Sequence, residues 1–196
     1  MKVVMIRHAQ TEGNLKKQYV GTQDVPLCTQ GIETLRKQGR YPNIQRVYAS
    51  SMCRTMQTAQ QLFPKACIFP CDNLREINFG VLENKSCQIK PDLSDWMQPF
   101  PGGESIFQLS QRVTRGMEDS IENEWVQGAE YIIFVMHGVG IMTVLQQFSG
   151  KPRPSLFSWY TGNGCAWSFE VNNPCLYSAP LKNLEYHESL MLLTEF

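Results

Sequence analysis

The chain has 196 residues, 42% of them hydrophobic and 18% charged, which fits one domain (1–196) with its own core, since domains run about 50 to 250 residues. Its 18 basic and 18 acidic residues cancel, which argues against nucleic acid as a bulk partner, so any anion site must come from a local cluster of cations. No apolar run approaches the roughly 20 residues of a membrane span, and Met1 to Ile6 meets Arg7 too soon for a signal core of about 7 to 15 residues.

Seven cysteines at irregular spacing read as reduced, buried thiols of a cytoplasmic protein. Cys67 and Cys71, with Cys53 nearby, lack the second closely spaced pair that zinc sites usually show, so no metal is expected. A homodimer is compatible with the sequence, which does not fix the oligomeric state.

In chain order, residues 2–6 are short, apolar and β-branched and predict a buried strand. A loop follows through Val20 to Pro26. Thr29 is the expected N-cap of a helix over 31–37, where Glu33 and Lys37 form an i,i+4 pair. Residues 46–50 predict a second strand running into a helix that opens near Ser51 and ends near Phe63-Pro64; residues 66–70 predict a third strand. From 84 to 103 the pattern dissolves. Pro91, Pro99, Pro101 and Gly102-Gly103 forbid one long helix, while Trp96, Met97 and Phe100 argue against a solvated linker, so this stretch reads as a cap inserted beside the site.

Helical periodicity returns from about 104 to 125, with Ile106, Leu109, Val113, Met117 and Ile121 on one face. A strand over 131–136, a helix over about 139–148 and a strand around 165–171 complete a β/α alternation. The final stretch, 172–196, predicts an edge strand and a tail. The fold class is therefore α/β: a three-layer α/β/α sandwich with a mainly parallel sheet.

Two of the three histidines end predicted strands, in Ile6-Arg7-His8 and Val135-Met136-His137. Open α/β sheets place their ligands at that carboxyl edge. Phosphoryl transfer needs a nucleophile, charge matched to the phosphoryl oxygens and a proton for the leaving alkoxide. Neutral imidazole, whose unperturbed pKa is about 6.5, serves as nucleophile, and His8 is the candidate. Arg7 and Arg54 offer planar forks for bidentate phosphate binding, and Arg54 falls in a first helical turn where exposed N–H groups favour an anion. Asn14 lies downstream in the same loop as His8. His137 is expected as a cation on the equatorial oxygens, with the Gly138 backbone N–H close behind.

Glu76 is the candidate general acid, its pKa raised by partial burial and by the bound phosphate. Glu12, Asp24, Glu83 and Glu104 are rivals that composition leaves open, Glu12 being better read as structuring its loop. His187 has no identifiable partner and reads as a surface or packing residue.

The run Arg7-His8-Ala9-Gln10-Thr11-Glu12-Gly13-Asn14 resembles the signature of the histidine phosphatase superfamily, in its phosphoglycerate-mutase-like branch. The stretches 50–59, 74–83, 101–105 and 135–140 follow in that family's order. The resemblance implies a metal- and cofactor-free enzyme in which His8 carries the phosphoryl group. It also implies that Arg7, Asn14, Arg54 and His137 hold the phosphate and that Glu76 donates the proton. Two departures stand out: Ala9-Gln10 stands where the family commonly has Gly-Glu, and Ala9 would be strained if its φ were positive.

Within the family, Pro101-Gly102-Gly103-Glu104-Ser105 and Gly162-Asn163-Gly164-Cys165 are most similar to the α-ribazole phosphatases of cobalamin assembly. Trp96, Met97 and Phe100 either stack on a flat heterocycle such as a benzimidazole or plug the underside of the cap. The expected partner is a small-molecule phosphate monoester. The alternatives are a mutase of phosphoglycerate type, and a phosphatase of sugar phosphates or phosphoprotein. A non-catalytic phospho-ligand binder is disfavoured by the presence of both histidines and Glu76.

Overall fold

The computed structural model describes residues 1–89, 91–92, 95–150 and 155–195. A six-stranded sheet in the order β3-β2-β4-β1-β5-β6 is formed by β1 (Lys2–Arg7), β2 (Arg46–Ser50), β3 (Cys67–Cys71), β4 (Tyr131–Met136), β5 (Ala166–Glu170) and β6 (Lys182–His187). The first four are mutually parallel, and β5 and β6 add antiparallel pairings at one edge. The α-helices are α1 (Glu12–Leu15), α2 (Thr29–Gln38), α3 (Cys53–Leu62), α4 (Ile106–Val126) and α5 (Gly138–Phe148).

Alternation along the central strands divides the core into two layers. Val3, Met5, Phe134 and Met136 face one cluster with α4 and α5, whose Leu109, Val113, Ile141 and Leu145 fill it. Val4, Ile6, Ile133 and Val135 face the other, covered by Leu35 of α2 and by Ala59 and Leu62 of α3. The sandwich and the mainly parallel sheet expected from the sequence are both present. Among the described residues no helix is long and apolar enough to cross a membrane.

Several local expectations change. Cys28, not Thr29, is the N-cap of α2, its Sγ accepting from Gly31 N at 3.4 Å. A short helix, α1, lies inside the stretch read as loop, closed by a capping box in which Thr11 and Asn14 satisfy each other's backbone N–H. The C-terminal stretch is more than a tail. After edge strand β6, a 3-10 segment (Leu190–Glu195) buries Leu190, Leu192 and Leu193 in the second core layer. Of the cysteines, none of which forms a disulfide among the described residues, only Cys28 is buried. His187 does have a partner, since its Nε2 lies 2.8 Å from Ser168 Oγ across the β5–β6 pair.

The described part of 84–103 forms turns rather than a helix, as its prolines dictate; positions 90, 93 and 94 of that insert lie outside the described residues. It folds over the segment after α1. Tyr19 N donates to Lys85 O at 3.0 Å, Asn84 N to Tyr19 O at 2.9 Å and Cys87 N to Lys17 O at 2.7 Å. Gly80, at φ 55°, permits the close approach of the 101–103 turn, because a Cβ there would lie 2.1 Å from Pro101 O.

Candidate active site

Strand register brings the histidines together. Arg7 pairs with Met136 in the β1–β4 ladder, and His8 N donates to Met136 O at 3.0 Å. His8 and His137 therefore leave the sheet side by side, with ring centroids 5.2 Å apart. β2 pairs its Ala49 with Val135 of β4, so Ser50 arrives beside His137. There Ser50 Oγ lies 2.8 Å from His137 Nε2.

The two rings are anchored through opposite nitrogens. His8 Nδ1 lies 2.7 Å from Ala9 O, and a carbonyl only accepts, so Nδ1 carries the hydrogen and Nε2 keeps its lone pair. Burial, then the Arg54 and Arg7 charges, hold the His8 pKa well below its usual value. The imidazole is thus neutral and nucleophilic without prior deprotonation. Burial, Arg54 and His8 depress His137 likewise. This corrects the expected imidazolium at position 137: beside two guanidinium groups and out of water, the neutral ring is favoured in the unliganded protein.

Arg54, on the first turn of α3, is fully buried. Its Nη1 donates to Gln23 O and its Nη2 to Gly21 O, both at 2.8 Å. Arg7 Nη1 donates to Thr161 O at 2.5 Å. Gly138 lets the Arg7 guanidinium come close, since a Cβ there would lie 3.1 Å from Arg7 Nε. Among the described residues, four buried side-chain nitrogen or oxygen atoms have no hydrogen-bond partner: Arg7 Nε, Arg54 Nε, His137 Nδ1 and Thr114 Oγ1. Three of the four belong to residues assigned to phosphate from sequence. Such an atom costs roughly 1–3 kcal/mol, so three on one constellation call for a ligand.

Asn14 Oδ1 accepts from Thr11 N at 3.1 Å and from Asn163 Nδ2 at 3.2 Å, which leaves its amide nitrogen for an anion. Glu76 is buried at the cavity wall. Its Oε1 accepts from Ile77 N at 3.0 Å and its Oε2 from Val139 N at 3.2 Å. Burial raises its pKa against the lowering effects of these two N–H groups and of Arg54, the direction a proton donor needs.

The rival carboxylates have other duties. Asp24 accepts from Cys53 N at the start of α3, Glu83 ties down Gly21 and Thr22, and Glu104 pairs with Arg112 at 2.7 Å. Glu12 is exposed in the first turn of α1. Ala9 has no positive φ, so the strain that this departure threatened does not arise.

Arg7, His8, Asn14, Glu76 and Gly138 line a cavity of about 600 Å³. His137 and Arg54 lie buried behind it, His137 in ring contact with His8. Of the three cap residues for which ligand stacking and plugging of the cap were both open, Phe100 lines this cavity, edge-on to Phe79 with ring centroids 5.4 Å apart. Met97 is 62% exposed, and Trp96 packs partly against the core, so neither forms a stacking platform.

Ser50, Phe157 and Tyr160 had no sequence signal of their own, and Asn163 had one only through the resemblance carried by 162–165. Ser50 becomes visible only through the β2–β4 register. Asn163 ties its loop to His8 O at 3.0 Å. Phe157 and Tyr160 line the cavity from a turn without periodicity.

The strand-end histidines, the arginines beside them and the α/β sandwich belong to one class of protein. The chain is a member of the histidine phosphatase superfamily (branch 1), which it matches over residues 3–176. A relative from Salmonella choleraesuis, named "Probable phosphoglycerate mutase GpmB", is 28% identical over 170 residues, covering 78% of this chain and 76% of its own. In fold the chain is similar to the α-ribazole phosphatase from Shigella flexneri, with a TM-score of 0.75, 22% identity and 96% of each chain covered. It is likewise similar to a mycobacterial glucosyl-3-phosphoglycerate phosphatase, with a TM-score of 0.74, 21% identity and coverage of 96% and 98%. A family of phosphatases and mutases is thereby defined; likeness of fold does not carry a substrate with it.

Proposed function

We propose that the protein is a metal-independent phosphatase that hydrolyses a small-molecule phosphate monoester through a phosphohistidine at His8. The observation that carries this reading is the set of three unpartnered buried nitrogens on Arg7, Arg54 and His137 around a neutral, oriented His8 ring. His8 Nε2 attacks phosphorus, forming the N–P bond as the P–O bond to the alcohol breaks. Glu76 gives its proton to the departing alkoxide. Water then attacks the phosphohistidine, Glu76 takes a proton from it, the N–P bond breaks and inorganic phosphate leaves. Arg7, Arg54, Asn14 and the Gly138 N–H hold the phosphoryl oxygens, and His137 takes a proton or donates a hydrogen bond as negative charge arrives. Two guanidinium groups supply the positive charge.

The resemblance of 101–105 and 162–165 to α-ribazole phosphatases makes α-ribazole 5'-phosphate the first substrate to assay, with cobalamin assembly in the cytoplasm as its setting. The 28% identity to a relative named as a mutase favours a second reading, transfer to a phosphorylated acid. Product analysis with and without a phosphoglycerate acceptor separates the two.

The test is to trap the intermediate. An acid-labile, alkali-stable phosphate is expected on the wild type and not on His8→Ala, whose turnover falls by about 10⁴-fold or more. Activity is expected to survive EDTA. A stable label on serine or cysteine, or a collapse of activity in chelator, refutes the reading.

A further inference from the structure

The cavity extends well past the phosphate end. Its volume of about 600 Å³ is far larger than a phosphoryl group and falls within the roughly 300–1,000 Å³ of small-molecule sites. Its lining includes the paired rings of Phe79 and Phe100, Met142 of α5, and Leu156, Phe157 and Tyr160. Four of these six are buried, as core residues would be. Phe157 and Tyr160 are 50% and 64% exposed. Two large rings standing in water at the mouth of a cavity are stabilised when an apolar body covers them.

This wall begins at the phosphate grip. The Tyr160 ring centroid lies 5.6 Å from the Arg7 guanidinium carbon, so an exposed ring of the lining adjoins a residue assigned to the phosphate. Beyond Arg7 and the His8 ring, the described lining residues include one basic side chain, Lys17, which is exposed on the rim. Among the described lining residues, Lys17 alone adds a basic side chain that a second anionic group on the substrate could meet outside the phosphate end.

We infer that the site selects phosphate monoesters of bulky apolar alcohols, aromatic or branched, over phosphorylated acids and bisphosphates. The inference rests on the phosphatase reading above and adds the class of leaving group, with Phe157 and Tyr160 as the residues that set it.

The experiment compares three primary alkyl monoesters whose leaving alkoxides are of similar basicity: ethyl phosphate, 2-(2-naphthyl)ethyl phosphate and 3-phosphoglycerate. The naphthylethyl ester is expected to exceed ethyl phosphate in kcat/KM by about 10- to 100-fold, the scale set by burying an aromatic body. It should exceed 3-phosphoglycerate by at least as much. Phe157→Ala and Tyr160→Ala should each narrow the naphthylethyl-to-ethyl ratio, by up to about tenfold. Because both side chains are half exposed or more, the variants should fold, and the wild-type series stands without them. Equal kcat/KM for the ethyl and naphthylethyl esters, or a preference for 3-phosphoglycerate, overturns the inference. If phosphohistidine still forms in that case, the phosphatase reading survives; no phosphohistidine with any of the three esters sinks both.

Discussion

At the strand ends His8, Arg54, Glu76 and His137 are buried, and backbone carbonyls, backbone N–H groups or a serine hydroxyl fix each one. At the far wall Phe157 and Tyr160 stand half or more in water on a short turn. The first region is costly to build: it buries a guanidinium, a carboxyl and two imidazoles and leaves three nitrogens unpaired. Such an arrangement persists only because the core on both sheet faces holds it, and it is suited to one chemistry. In the second region Leu156 and Trp159 of the same turn anchor it in the core, while Phe157 and Tyr160 face water. On the reading proposed above, reaction class resides in the register of β1, β2 and β4, while substrate choice resides in Phe157 and Tyr160.

The sharpest way to break that division is at Glu76, which belongs to the first region but faces the leaving group. Glu76→Gln should lower kcat on alkyl phosphates by about 10² to 10⁴-fold. With 4-nitrophenyl phosphate, whose leaving group needs no proton, the loss should stay within about tenfold. Equal losses on both would remove Glu76 from acid catalysis and reduce it to a residue that organises Ile77 and Val139.

Arg54→Lys comes next. Lysine keeps the charge but has one nitrogen in place of the planar fork that reaches Gln23 O through Nη1 and Gly21 O through Nη2, and it has no counterpart of the unpartnered Nε. Turnover should fall by about 10² to 10³-fold on every substrate alike, the scale of losing one preorganised donor. A loss that depended strongly on the alcohol would show that the two regions are not separable.

Much of this is legible in the sequence, and the parts that are not share a cause. The apolar runs of β1 and β4 and the face of α4 carry strong periodic signals because each meets the core directly. His8 and His137 stand out because a charged or polar residue abruptly ends an apolar strand. Ser50, Asn163 and the two rings of the wall act through contacts between segments distant in the chain, such as Asn163 with His8, 155 positions apart. No local spacing encodes those. Composition alone leaves Trp96 and Met97 open between stacking on a ligand and plugging the cap, because the direction in which a proline-rich turn points its side chains is settled by tertiary packing. The protonation of His137 departs from expectation for a related reason: an imidazolium there presupposes a bound phosphate, and without one burial and then the Arg54 charge disfavour the proton.

The smallest expected effect is thermodynamic, and it separates the regions without any substrate. His8 and His137 both have pKa values held well below 6.5 in the folded chain. Below about pH 6.5 the unfolded chain therefore binds more protons at these two positions than the native one, so stability falls as the pH drops through that value. Each histidine contributes a slope of up to about 1.4 kcal/mol per pH unit. Glu76 acts in the opposite sense, because its raised pKa makes the folded chain the better proton acceptor between about 4.5 and its shifted value. One carboxyl offsets only part of two histidines, so the net expectation is acid destabilisation. Urea unfolding at pH 7.5, 6.5 and 5.5 measures it. His137→Gln should flatten the slope by about one histidine's share, whereas Phe157→Ala should displace the curve without changing its slope, since the ring binds no proton. Identical slopes for the wild type and His137→Gln would mean that the ring at position 137 is not held neutral by its surroundings, and the account of the strand-end pocket as a desolvated, pre-built anion site would fail with it.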